Sequence, residues 1–221
     1  MSTTLEQRLD AFRRLDDVKM TFARRDWFPG TSGNLSIKIS DDPLQFAVTA
    51  SGKDKTKLSP EDYLIVDQDS RPVDATSLKP SAETLIHAVV YKAFPQAGAC
   101  FHVHTVWNNL ISELYFGQRA FTIQGQELIK GLGIWEENAQ ITVPIVENFA
   151  DIPSLAAAIK KVITAEVPGV LIRNHGIYAW GGNDFEAKRH LEAFEFLFEY
   201  HARWLQLRQA AVNTHTTTTT I

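Results

Sequence analysis

The chain reads as a single α/β domain, and three observations predict it. Short apolar, β-branched runs alternate with longer segments of helical periodicity. The 221 residues, 44% hydrophobic and 22% charged, are enough for one well-buried core. No linker or internal repeat interrupts residues 1–210, which are assigned to one domain. Residues 211–221, which contain the threonine run Thr216–Thr220, are assigned to an unstructured tail.

Apolar side chains at Leu5, Leu9, Phe12, Leu15, Val18 and Phe22 recur at helical spacing. That helix should stop near Trp27, because Pro29 and Gly30 follow. The polar loop Gly30–Ser36 leads into a strand over Leu35–Ile39. Gln45–Thr49 alternates as a second strand and breaks at the turn Ala50–Lys55. Both turns carry glycines and hydroxyl residues that either cradle an anion or simply connect elements. Tyr63–Asp67 is a third strand. A helix opens around Lys79–Thr84, with Ser81 as candidate N-cap and Glu83 in its first turn, and ends at Phe94 before Pro95.

The apolar run through Cys100 and Phe101 forms a buried strand, followed by a helix over Thr105–Leu114. Strands are expected near 119–125 and at Ile141–Val146, then a helix from Pro153 to about Glu166 and a strand at Gly169–Ile172. The last helix spans about Asp184 to Gln206 and is rich in aromatics, read as core and subunit packing. His190 and His201 on it read as ordinary helix histidines.

Composition narrows the function classes. A net charge of −4 without a basic block implies no nucleic-acid partner. No apolar run approaches membrane-spanning length. The N-terminus lacks the basic start and apolar stretch of a signal peptide. A lone cysteine, Cys100, excludes an internal disulfide and fits a reducing cytoplasm. It reads as a small core residue.

The stretch with chemistry is the strand end Phe101-His102-Val103-His104. Side chains at i and i+2 of a strand share a face, so His102 and His104 present two imidazoles side by side, as a divalent cation requires of two ligands. Seven histidines make a chance His-x-His about a one-in-five event, so the pair alone is weak evidence. His175, just past the end of Gly169–Ile172, is placed for a site. Glu83 is either a helix-start acid or a group near the metal, because its helix feeds the His-x-His strand. Glu127, beside Gly125, is by itself a plain solvated carboxylate.

Five motifs in register resemble the class II aldolase/adducin family: Gly30-Thr31-Ser32-Gly33-Asn34-Leu35-Ser36, Thr49-Ala50-Ser51-Gly52, Lys79-Pro80-Ser81-Ala82-Glu83, His102-Val103-His104 and Asn174-His175-Gly176. Order and spacing agree from about residue 5 to 207. Within the family, Asn108–Tyr115, Gln124–Gly131 and Arg173–Gly181 resemble a branch that dehydrates a methylthio-substituted ketose 1-phosphate in methionine salvage.

The resemblance implies a three-layer α/β/α fold around a mostly antiparallel sheet. It implies one Zn²⁺ per subunit held by His102, His104 and His175, and a phosphate met by Thr31, Asn34, Ser51, Gly52 and Ser81. Glu83 matches a glutamate that lies at the metal in the family's aldolases, whereas eukaryotic relatives of the dehydratase branch carry a cysteine there. Its role therefore stays open between metal side and substrate side. Glu127 matches the proposed acid/base, and family members are usually tetramers with sites near subunit borders. A related aldolase or epimerase would share the metal and the loops, but the Gln-Gly-Gln-Glu setting of Glu127 argues for dehydration. A metal-free scaffold module, as in adducin heads, would not need all three histidines.

Overall fold

The structure, a computed structural model, describes residues 3–217. One eight-stranded sheet, in the order β3-β2-β1-β4-β8-β7-β6-β5, organises it. The strands are β1 Asn34–Asp41, β2 Leu44–Thr49, β3 Tyr63–Asp67, β4 Ala99–Val103, β5 Ala120–Gln124, β6 Gln140–Val146, β7 Gly169–Ile172 and β8 Gly176–Gly181. The helices are α1 Leu5–Ala23, α2 Thr84–Ala93, α3 Val106–Leu114, α4 Ile152–Val162 and α5 Asp184–Thr217. The sheet is mixed: every neighbouring pair is antiparallel except β6–β7.

Two apolar clusters cover the two faces. One gathers α1 and α5 through Leu15, Phe22, Leu191, Phe194 and Phe198 against Leu35, Phe101 and Ile177. The other gathers α2 and α4 through Ile86, Val90, Leu155 and Ile159 against Phe46, Cys100 and Val170. Burial on both faces explains why β4, β7 and β8 are buried at every position, with no polar alternation. Each fully buried Phe or Leu here contributes about 1.5–3 kcal/mol. Cys100 is a buried free thiol, its pKa raised by burial.

Local chemistry sets the boundaries. Thr4 caps α1 in a reciprocal capping box with Gln7. Thr105 does the same for α3 with Asn108, and this fixes the chain as it leaves the His-x-His strand. α2 differs from expectation: its N-cap is Glu83, whose side chain makes no capping bond, while Ser81 supplies only its carbonyl to the Thr84 N–H and hydroxyl. α4 ends at Val162, short of Glu166. α5 does not stop near Gln206 but continues to Thr217, and 218–221, the end of the expected tail, lie outside the described residues. Its aromatics divide: Phe194 and Phe198 are buried, whereas Phe185, Phe196 and Trp204 are exposed.

One buried acid ties α5 to α3. Glu195 accepts hydrogen bonds from the Thr105 hydroxyl (2.5 Å) and the Asn108 amide (2.9 Å). Burial pushes its carboxyl pKa up to about 7. A carboxyl raised above its unfolded value of 4.5 holds more protons folded than unfolded between the two. It therefore favours the fold below pH 4.5 and loses that contribution as pH rises to 7. The gap corresponds to roughly 3 kcal/mol. Glu195→Gln is thus expected to raise the melting temperature at pH 8 relative to the parent and to change it less at pH 5. An equal change at both pH values would remove the titration from the account.

Candidate metal centre

Strand direction decides which residues can meet. β1, antiparallel to β4, begins where β4 ends, and β2 ends and β3 begins at that same edge. The β7–β8 turn lies there too, since β8 is antiparallel to β4 and to β7. This edge carries Asn34, Thr49, Glu83, His102, His104 and His175.

Ring nitrogens of His102, His104 and His175 all lie within 4.8 Å of one another. The Nε2 atoms of His102 and His104 are 2.8 Å apart. His102 donates its Nδ1–H to the Ile177 carbonyl (2.9 Å), which leaves Nε2 facing the cluster with a lone pair. Burial, then the charge of His175, holds the pKa of His102 well below the usual imidazole range. Burial, then His102, lowers that of His104 to about 2. Both rings are neutral at physiological pH, the form that binds a cation. Close approach is possible because residue 176 has no side chain: a Cβ there would sit 2.5 Å from the Val103 carbonyl and 2.8 Å from the His102 ring.

Glu83 completes the cluster. Its carboxylate lies 3.1 Å from His175 Nε2 and 3.3 Å from His102 Nε2. Freedom from capping lets it point there. Two buried groups hold it, the Asn34 amide (2.9 Å) and the Tyr178 hydroxyl (3.2 Å). Behind them, His87 bonds the Asn34 carbonyl oxygen through Nε2 and the Ser36 hydroxyl through Nδ1 (2.7 Å). Tyr178 also stacks on the His102 ring, centroids 4.1 Å apart. Three imidazoles plus one carboxylate suit a small divalent cation of borderline softness, so the donor set fits such an ion.

The phosphate candidates occupy adjoining loops. Ser51 donates its N–H to the Lys79 carbonyl (2.8 Å), and Ser81 donates its own to the Thr49 carbonyl (3.1 Å), so the second and third motifs are tied together. Leu35 donates to the Thr49 hydroxyl (3.2 Å), which joins the first. Thr31 and Gly52 have positive φ, at turns open to solvent. Asn34 is buried, and its side chain is committed to Glu83 and His87, so it positions the carboxylate instead of facing the loops.

The family model for the class II aldolase and adducin N-terminal domain matches residues 13–202. The chain belongs to this family. Among curated proteins, class II members named methylthioribulose-1-phosphate dehydratase are similar to it. The one from Bacillus subtilis is 58% identical over 92% of this chain and 97% of its own length. The one from Persephonella marina is 55% identical over 88% and 90%. The fold recurs in an L-fuculose 1-phosphate aldolase, TM-score 0.73, 22% identity, covering 90% of this chain and 87% of the other. It recurs equally in YgbL from Escherichia coli, described as a putative aldolase/epimerase/decarboxylase, TM-score 0.73, 24% identity, covering 89% of each.

The class II fold does not bring Glu127 to the histidines of its own chain. β5 runs opposite to β4, so the segment after β5 leaves from the far edge of the sheet. β5 is also four strands from β4, roughly 19 Å at the usual strand spacing. Glu127 is 84% exposed there, bonded to Lys130 (2.8 Å) and bordering a separate cleft with Trp135 and Glu136. The cleft at the histidines, of about 540 Å³, is lined instead by Pro29, Val106, Asn109, Leu110, Asn148 and Asn174. His190 and His201 bond Trp180 and Tyr115 and stay outside the cluster. Sequence reasoning missed His87 and Tyr178, whose hydrogen-bond partners lie 51 or more residues away.

Proposed function

We infer that the chain dehydrates 5-methylthioribulose 1-phosphate to 2,3-diketo-5-methylthiopentyl 1-phosphate, a step of methionine salvage. The observation that carries this reading is identity of 52–58% over most of the chain to several methylthioribulose-1-phosphate dehydratases, joined to a three-histidine cluster at one sheet edge. His102, His104 and His175 would hold one Zn²⁺, with Glu83 beside it on the metal or substrate side. When bound, the ion supplies Lewis acidity that polarises the C2 carbonyl and acidifies the C3 proton.

The rest is work for the chain's own groups. Thr31, Ser51, Gly52 and Ser81 orient the phosphate, so that C2 and C3 stand over the histidines. Asn34, Tyr178 and His87 keep Glu83 directed at the same point. Glu127 takes the C3 proton and returns a proton to the departing C4 hydroxyl, which leaves as water. The enol then tautomerises to the diketone. Because Glu127 and the histidines sit at opposite edges of one chain, Glu127 would serve the site of a second copy. That supports a homo-oligomer, a tetramer by family habit, acting in the cytoplasm.

The test is turnover of 5-methylthioribulose 1-phosphate by purified protein before and after a chelator. Diketone formation that stops on chelation and returns with Zn²⁺ is expected. Release of a three-carbon phosphate would reassign the protein as an aldolase.

A further inference from the structure

The cluster of neutral groups around the phosphate loops leaves a charge problem. Thr31, Ser51, Gly52 and Ser81 are all uncharged, and a phosphate monoester brings nearly two negative charges. Of the lysines nearby, Lys53 is paired with Glu61 and Lys57 with Asp54. Lys79 is exposed. Lys19, buried under the sheet, is paired with Asp62. Lys55 differs from them all.

Lys55 is 6% exposed, and its only hydrogen bond among the described residues is to the Thr31 carbonyl (2.7 Å). Among the described residues no carboxylate lies within ion-pair distance of it: Asp62 is taken by Lys19 and by the Ser59 N–H (2.7 Å). The Phe28 ring lies 6.0 Å from the ammonium. Burial and the charge of Lys19 disfavour its cationic form more than the charge of Asp62 favours it. A buried, unpaired ammonium costs stability unless something compensates it.

The site around it is short of a partner too. Gly30 and Thr31 both have positive φ, φ 62° and 63°, so the turn that Lys55 holds is strained at a non-glycine residue. The Ser32 hydroxyl is buried without a hydrogen-bond partner.

We propose that Lys55 is a positioning residue for the substrate's phosphate, holding the Thr31 turn from beneath and supplying the positive charge that the polar loops lack. This rests on the phosphate reading of those loops given above. An anion on the loop turns the unpaired cation from a cost into an asset, as a functional site that trades stability for binding does.

The test compares the metal-loaded parent with Lys55→Met and Lys55→Arg. Inorganic phosphate is titrated by calorimetry and thermal shift, and repeated after chelation to separate binding to the ion. Lys55→Met should bind phosphate about tenfold more weakly and raise KM for 5-methylthioribulose 1-phosphate similarly, with kcat within about threefold. Its phosphate-free melting temperature should match or exceed the parent's. Lys55→Arg should keep phosphate affinity within about threefold. Phosphate affinity of Lys55→Met equal to the parent's overturns the proposal and leaves the dehydratase reading standing. So does a Lys55→Met protein too unstable to purify, if Lys55→Arg also melts well below the parent, because Lys55 is then a structural anchor. A parent enzyme that neither binds phosphate nor turns over the substrate sinks both.

Discussion

His104→Ala should yield a folded protein that no longer retains a divalent cation and is inactive. The ring is partly buried, but its backbone N–H to the Trp27 carbonyl (3.2 Å) survives the substitution, and so does the α3 cap at Thr105. What disappears is one of three imidazoles whose nitrogens converge within 4.8 Å. Losing a group that merely orients a ligand typically weakens metal binding by 10–100-fold, and losing a ligand should exceed that. Stability gives an independent reading. A cation that binds only the folded state raises stability in proportion to the logarithm of its concentration over Kd. Chelation should therefore lower the melting temperature of the parent and leave that of His104→Ala unchanged. Metal content by atomic emission checks the same point, and full occupancy in the variant would remove His104 from the ligand set.

Parts of this site are readable from sequence because they are local. His102 and His104 share a face through strand period alone, and Thr105 caps the next helix through a contact three residues long. Other parts are long-range and leave no local trace. β8 begins and ends in glycine and is buried at all positions, so neither alternation nor composition marks it as a strand. Tyr178 on it reaches Glu83 across 95 residues. His87 looks like any buried helical residue until α2 docks and brings it to Asn34. Local preference favours Ser81 as the cap, and tertiary structure overrides it: Glu83 occupies the cap position while its carboxylate is held by Asn34 and Tyr178.

Glu127→Gln should abolish turnover while leaving metal content and stability intact, and the loss should be repairable by a second inactive variant. The side chain is 84% exposed and among the described residues bonds only Lys130, so an amide there should change stability by less than about 0.5 kcal/mol. Removing a general base typically costs about 10²–10⁴ in rate. The strand order separates Glu127 from the histidines by four strands and by the full length of β5, so one chain cannot assemble both halves. Subunits of Glu127→Gln keep sound histidines, and subunits of His104→Ala keep a sound Glu127. Dissociated, mixed in equal amounts and reassembled, about a quarter of the sites should pair a good half from each, restoring roughly a quarter of parental activity. Turnover retained by Glu127→Gln alone would dismiss it as the base. A dead variant that mixing fails to revive would require the loop after β5 to reach the histidines of its own chain, against the strand directions observed here.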